Sequence, residues 1–249
     1  MPKPGNGISG AASRKVPNHL LAAFPSTIHK KLAAEFEVVR LHVGDVLFNV
    51  NDPIHFLYFP HANTMLSLLC NTEDGSVEVG VTGWEGFVGT AGLLGGDTSP
   101  HQVITQMPGE ATKIKVNALR TEFQRNPQVQ RVVLKYVSAL IAQVSQTALC
   151  NRLHTVEQRL ARWLLVSQDR IEARELPLTH EFLAKMLAVN RSTLSLTAAT
   201  LRNAGLIHYT RAKVTVLNRE GLEQASCGCY KIVRQHFANI LGNGLAKRK

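Results

Sequence analysis

Apolar positions along this chain change period twice, and the changes divide it. Residues 18–36 carry a helical spacing through Leu20, Leu21, Phe24, Ile28 and Leu32. From about Val38 to Ile114 the texture becomes short apolar segments cut by turn residues: Gly44-Asp45, Asn51-Asp52-Pro53, Glu73-Asp74-Gly75, Gly83, Gly86, Gly89, Gly95-Gly96-Asp97 and Pro108-Gly109. Strands are expected at Val46 to Val50, Phe56 to Phe59, Met65 to Leu69, Val77 to Val81, Val103 to Gln106 and Thr112 to Val116. Short strands at regular spacing with turn chemistry between them predict an antiparallel barrel or roll.

After Pro127 the period becomes helical. Val133, Val137, Leu140, Val144 and Thr147 make a heptad stripe, with Leu134, Ile141 and Ala148 on a neighbouring face. One stripe can dock on the roll and the other on a second copy of the chain; we assign Val133, Val137, Leu140 and Val144 to the second copy. Thr155-Val-Glu-Gln158 is a capping box opening another helix, which places a linker near Cys150 to His154.

Leu178 to Ile207 then holds two short helical patterns joined at a turn. Thr179 caps the first, and Leu183 and Leu187 form its inner face, with the small Ala184 allowing close approach. Asn190 caps the second, in which Leu194, Ala198 and Leu201 fall at i, i+4 and i+7, and Gly205 suits the left-handed residue that ends it. Arg191, Ser192, Ser195 and Leu196 are left outside. Two short strands follow, Leu206 to Thr210 and Val214 to Leu217, joined across Arg211-Ala-Lys213. The arrangement is a winged helix-turn-helix, whose second helix can enter the major groove of DNA. Asn218 caps a further helix through Leu222, and Tyr230 to Leu241 adds another.

Charge supports that partner. The chain of 249 residues has a net charge of +10. Residues 151–249 hold 16 basic against 7 acidic residues, a surplus of +9, leaving +1 for residues 1–150. A polyanion-binding surface on the helix-turn-helix half is expected. Cys70, Cys150, Cys227 and Cys229 are too few and too scattered for a disulfide framework, which favours a reducing cytoplasm. The N-terminal stretch reads as a flexible tail without an apolar region, and no run of 18 apolar residues occurs; no membrane partner is expected.

The order of a glycine-punctuated roll, a long helix and a winged helix-turn-helix resembles the Crp/Fnr superfamily of bacterial transcription regulators, over about residues 18 to 240. The sharpest part is Asn190-Arg-Ser-Thr-Leu-Ser-Leu196, which stands where that family shows Ser-Arg-Glu-Thr-Val-Ser-Arg. Gly83-Trp-Glu-Gly-Phe-Val-Gly89, Asn151-Arg-Leu-His154 and Cys227-Gly-Cys-Tyr230 resemble a branch with no well-defined effector. The resemblance implies an α+β chain: a flexible tail (1–17), a cyclic-nucleotide-binding-like β-roll with flanking helices (18–125), a dimerisation helix (126–150), a winged helix-turn-helix (151–225) and a C-terminal helical tail (226–249). It further implies a homodimer on double-stranded DNA with a roughly palindromic site, meeting RNA polymerase if it activates.

Carried over residue by residue, Arg191 matches the family arginine that reads guanine. Ser192 replaces the usual glutamate and Leu196 a second arginine, so the half-site should depart from the common one. Base contacts are therefore expected from Arg191, Ser192, Ser195 and Leu196, and phosphate contacts from Thr179, Thr193, Arg202, Arg211 and Lys213. The effector positions diverge from the cyclic-AMP-binding members: Thr90 follows Phe87-Val-Gly89 where they have glutamate, and Ser99-Pro100-His101 stands in place of Arg-Ser/Thr-Ala. A buried cyclic phosphate would lack its cation, which argues against cyclic AMP. No cysteine precedes Cys70, which argues against an iron–sulfur cluster. The roll either binds another small molecule, with Trp84, Glu85, Gly89, Thr90, Ser99 and His101 as its candidate lining, or serves as a dimer scaffold. His61 is a further loop histidine that could touch a ligand.

Cys227 and Cys229, with His236 nearby, lack the paired C-x-x-C spacing of zinc sites, so no metal is expected and the tail should cover the wing. Gly95-Gly96-Asp97 reads as a hairpin turn, because no Gly-Lys-Ser/Thr follows. No nucleophile elbow or His-Glu-x-x-His occurs, and no enzymatic activity is expected. The alternative is a sensing or protein-interaction module whose helix-turn-helix does not bind DNA.

Overall fold

The computed structural model describes residues 18–171, 175–210 and 213–241. It opens with α1 (His19–Ala22) and α2 (Ser26–Leu32), two short helices on either side of Pro25. Asn18 caps α1 by accepting from the Leu21 N–H at 3.1 Å, and its amide donates to the carbonyls of Pro60 and Gly86, tying the helix to the roll.

The roll follows: β1 (Glu37–Leu41), β2 (Val46–Phe48), β3 (Phe56–Pro60), β4 (Met65–Thr72), β5 (Gly75–Thr82), β6 (Gln102–Met107) and β7 (Gly109–Lys115). One antiparallel sheet has the order β1-β7-β3 and the other β2-β6-β4-β5. All six expected strands are present. β1 is additional; it is an edge strand with Val38 60% exposed, so its outer residues carry no burial signal. α3 (Val116–Arg125) is also additional, and it begins where the last strand was expected to end.

α4 (Pro127–Leu153) is capped by Asn126 and continues to His154. Val129, Val133, Tyr136, Ala139 and Leu140 enter the core of the roll. This corrects the expected dimer stripe: Val133 and Leu140 are buried within their own chain, while Val137 is only half-buried against the same core. The free apolar residues are Leu134, Ile141, Leu149 and Leu153, with Ala148 beside them. An apolar surface on two sides also makes α4 long and apolar enough to cross a membrane by length and composition, with 33% of its most apolar window buried within the chain.

α5 (Val156–Gln168) starts at the expected capping box, in which Thr155 accepts from the Gln158 N–H and Gln158 returns the bond. β8 (Glu175–Leu176) precedes α6 (His180–Met186) and α7 (Arg191–Asn203). β9 (Ile207–Thr210) and β10 (Lys213–Val216) form the wing, and β8 joins them in a sheet of order β8-β10-β9. A strand of two residues leaves no alternation to read.

α8 (Arg219–Ala225) and α9 (Cys229–Leu241) end the described chain. α9 does not cover the wing. It packs along α4 and sends Val233 and Phe237 into the core of the roll, because its apolar stripe fits the flank of α4. The second core crosses the other way: Met65, Leu69, Val81, Ile104 and Met107 of the roll pack with Leu160, Trp163 and Leu164 of α5 and with the helix-turn-helix interior.

Candidate nucleic-acid interface

The turn between α6 and α7 is held by local chemistry. Thr179 accepts from the Phe182 N–H at 3.1 Å and Asn190 from the Thr193 N–H at 2.7 Å, so each cap satisfies an orphan donor. Ala188 takes a left-handed φ of 48°, and Gly205 closes α7 at φ 70°. Leu183, Leu187, Leu194, Ala198 and Leu201 are buried, which fixes the two helices against each other.

The opposite face of α7 is open. Arg191 and Ser192 are exposed, and Leu196 is 73% exposed, an unusual position for a large apolar side chain. Ser192 donates to the Asn190 side chain at 2.8 Å. Ser195 is less available: it is half-buried and bonded to His180 Nδ1 at 3.1 Å. Among the expected phosphate contacts, Thr179 and Arg202 are exposed, Thr193 is half-buried, and Lys213 is exposed but paired with Glu175 at 2.9 Å. Arg211 lies outside the described residues.

His180 and Tyr209 were missed by sequence reasoning. Their rings stack with centroids 4.0 Å apart and form the floor of an open groove of about 620 Å³ lined also by Thr179, Glu181, Arg191 and Thr210. Burial, and then the Arg191 charge, push the His180 pKa down, so its ring is held neutral beside the arginine. No local periodicity could pair two residues 29 positions apart.

The expected effector residues separate into two groups. Gly89, Thr90, Ser99 and His101 line a cavity of about 290 Å³ between the roll and α4, together with Phe87, Val103, Leu140 and Ile141. Gly89 turns there at φ 92°. Among the described residues, no Arg, Lys, Asp or Glu is in the lining, and burial lowers the His101 pKa.

Trp84 and Glu85 are elsewhere, which corrects their assignment to the pocket. Trp84 packs on His19. Glu85 is fully buried and pairs with Arg170 at 2.7 Å, just past α5. A Cβ on Gly86 would sit 2.1 Å from the Tyr136 ring, so only glycine lets α4 approach there. The Gly83 to Gly89 stretch therefore receives α4 and the α5 end, and only its last residues reach the cavity.

A second buried bridge lies close by. Trp163 of α5 donates to Glu78 of β5 at 2.8 Å, and Ser67 contacts Glu78 at 2.7 Å. Burial pushes the Glu78 pKa up to about 7, against the opposing effects of those hydrogen bonds and of Arg162 and Arg170. His61 is bonded to Thr112 at 2.9 Å, within the roll, and does not line the cavity. The expectation of no metal site weighed Cys227 and Cys229 with His236 nearby; the structure instead brings Cys150 and His154 to the two cysteines, while His236 stays exposed on α9.

Comparison with known proteins agrees with this geometry. Residues 158–225 match the Crp-like helix-turn-helix domain family. FixK2 of Bradyrhizobium japonicum superposes with a TM-score of 0.67 at 15% identity, covering 78% of this chain and 98% of that one. CLP of Xanthomonas campestris, a c-di-GMP-responsive global regulator, gives 0.64 at 20% identity, covering 77% and 99%. Both share the fold. Neuropathy target esterase sws of Drosophila virilis is 24% identical over 140 residues, 52% of this chain, which spans only 9% of that protein's length. Residues 158–225 are thus a Crp-like helix-turn-helix domain, and the roll, the long helix and that domain together have the fold of these solved structures.

Proposed function

We propose that the chain acts as a cytoplasmic homodimer that reads a roughly palindromic operator with Arg191, Ser192 and Leu196. The observation that carries this reading is the exposed face at the start of α7, where Arg191 stands beside an open groove and makes no salt bridge among the described residues. A guanidinium there suits guanine O6 and N7, and the Leu196 side chain suits a thymine methyl. Ser195, bonded to His180, serves the framework of the groove more than base readout.

Two recognition helices must stand about 34–36 Å apart to enter successive major grooves of one duplex. The free Leu134 and Ile141 face of α4, with Leu149 and Leu153, supports pairing of two copies along that helix. The domain division follows: a roll through residue 125, the pairing helix, and the DNA-binding unit from 151.

The cavity beside α4 supports a small, largely apolar effector. Without an Arg or Lys in its lining among the described residues, a cyclic phosphate would be buried uncompensated, so cyclic AMP does not suit it. A ligand there would touch Leu140 and Ile141 and could bias the α4 pairing, provided that it binds one arrangement better than the other.

Selection of binding sequences from random DNA, followed by gel shift at several salt concentrations, tests the reading. A two-fold symmetric site that differs from the common family half-site is expected, with binding lost by the Ile141→Glu variant as it sediments as a monomer. Binding that ignores sequence at every salt concentration would defeat it.

A further inference from the structure

The end of α4 meets the turn between α8 and α9 at a cluster of three thiols and one imidazole. Cys150 and His154 lie one helical turn apart at the end of α4, and Cys227 and Cys229 straddle Gly228. Their ligand atoms all lie within 4.8 Å of one another. Cys150 Sγ is 3.5 Å from Cys227 Sγ, and Cys229 Sγ is 3.4 Å from His154 Nδ1. A tetrahedral zinc ion with Zn–S of about 2.3 Å and Zn–N of about 2.0–2.1 Å holds its ligand atoms roughly 3.5–3.8 Å apart. The three cysteines are at most 4% exposed, so the set is closed to solvent on the sulfur side.

The surroundings carry a matching charge. Arg159 and Arg162 are both buried, and neither makes a salt bridge among the described residues. Both act electrostatically on Cys150, and Arg162 also reaches Glu78. Three thiolates, one neutral imidazole and a divalent cation sum to a single negative charge, which buried guanidinium groups would stabilise. Gln146 donates to Cys229 Sγ at 3.2 Å, the kind of outer hydrogen bond that orients a thiolate ligand. A disulfide between Cys150 and Cys227 would use only two of the four groups and would not account for Cys229 and His154 meeting at the same point.

We propose that Cys150, His154, Cys227 and Cys229 form a closed tetrahedral site for a structural zinc(II) ion. The ion fastens the start of α9 to the end of α4, at the linker that leads into the DNA-binding unit. On binding, three thiol protons pass to solvent and no electron is transferred.

Elemental analysis of the full-length chain, purified under reducing conditions with zinc present, tests the site. One zinc per chain is expected, released in step with thiol modification by an organomercurial and read with a chromophoric chelator. Cobalt(II) in place of zinc should give sulfur-to-metal charge-transfer absorption and the intense visible bands of a tetrahedral centre. Cys150→Ser and Cys229→Ser should each lose the metal, whereas Cys70→Ser, at an exposed thiol, should keep it. The release and cobalt measurements use the unaltered chain, so they decide the matter even if the variants fail to fold. A chain that takes up neither ion, one that carries iron instead, zinc retained after both serine substitutions, or a Cys150–Cys227 disulfide under these conditions would each overturn the proposal.

Discussion

The exposed face of α7 and the joint that carries its domain are built in opposite ways. On α7 the charge is outside: Arg191 stands in solvent, with its neighbours held by caps and by Ser195 to His180. At the joint the charge is inside: Glu85 and Arg170 face each other at 2.7 Å with almost no exposure, and Glu78 is buried against Trp163. An exposed cation is free to find a phosphate or base. A buried pair fixes the orientation of one body on another, because separating it leaves a charge without solvent or partner.

The contrast predicts that the largest stability effect lies far from DNA. Glu85→Ala leaves Arg170 buried and unpaired, and should cost about 3–5 kcal/mol. Denaturant unfolding of the variant is the measurement. A loss within the range of exposed pairs, under about 1 kcal/mol, would show that solvent reaches the joint.

Glu78 sharpens the same point through pH. Its folded-state pKa of about 7 lies above the ordinary 4.5, so the protonated acid contributes its full stabilisation below about pH 4.5, and that contribution is lost as the pH rises through 7. The single Ser67 hydroxyl proton agrees with a protonated acid: Ser67 Oγ contacts both Glu78 Oε2 and Gln106 Oε1, and one of those contacts needs a proton from elsewhere. Glu78→Gln should stabilise the chain by about 3 kcal/mol at pH 8 and flatten stability between pH 4.5 and 7. Parallel pH profiles for the two proteins would remove Glu78 as the source.

Much of the fold was legible because its signals are local. Alternation between turn residues located the six strands, and the caps at Thr155, Thr179 and Asn190 located three helix starts. β1 and β8 were hidden, one by exposure and the other by its length. The exposed face of α7 was legible for the same local reason: a cap and a buried stripe leave one face outside. The joint was not. Glu85 and Arg170 are 85 positions apart, and Trp84-Glu85 read as a pocket because only the packing of α4 on Gly86 reveals what the loop receives. The thiol cluster escaped similarly, since Cys150 is 77 positions before Cys227. The stripe assigned to a second copy packs on the chain's own roll: Val133 and Leu134 are adjacent, and periodicity cannot say which side of an evenly apolar helix meets its own roll.

On the exposed side, Arg191→Ala should cost about 1–3 kcal/mol on the selected operator and relax preference at one base pair of each half-site, with little change on random DNA. Competition gel shifts with single-base operator variants read this directly. Equal loss on specific and random DNA would reassign Arg191 to a phosphate. Folding stability should be nearly unchanged, since the side chain is exposed.

Lys213 should give the smallest effect and separates two uses of one charge. In the free chain it pairs with Glu175 at 2.9 Å, but both side chains are more than half exposed, so the pair contributes less than about 1 kcal/mol to folding. If the wing meets a phosphate, Lys213 must leave Glu175 or share it, and the counterion released makes the contact salt-dependent. Lys213→Ala should therefore leave the unfolding midpoint almost in place, weaken DNA binding across sequences alike, and reduce the slope of log affinity against log salt by about one. Glu175→Ala should do the reverse, freeing the ammonium and strengthening binding most at low salt. An unchanged slope in both variants would place the β9–β10 end of the wing off the DNA, and leave α7 as the part of the exposed face that binds.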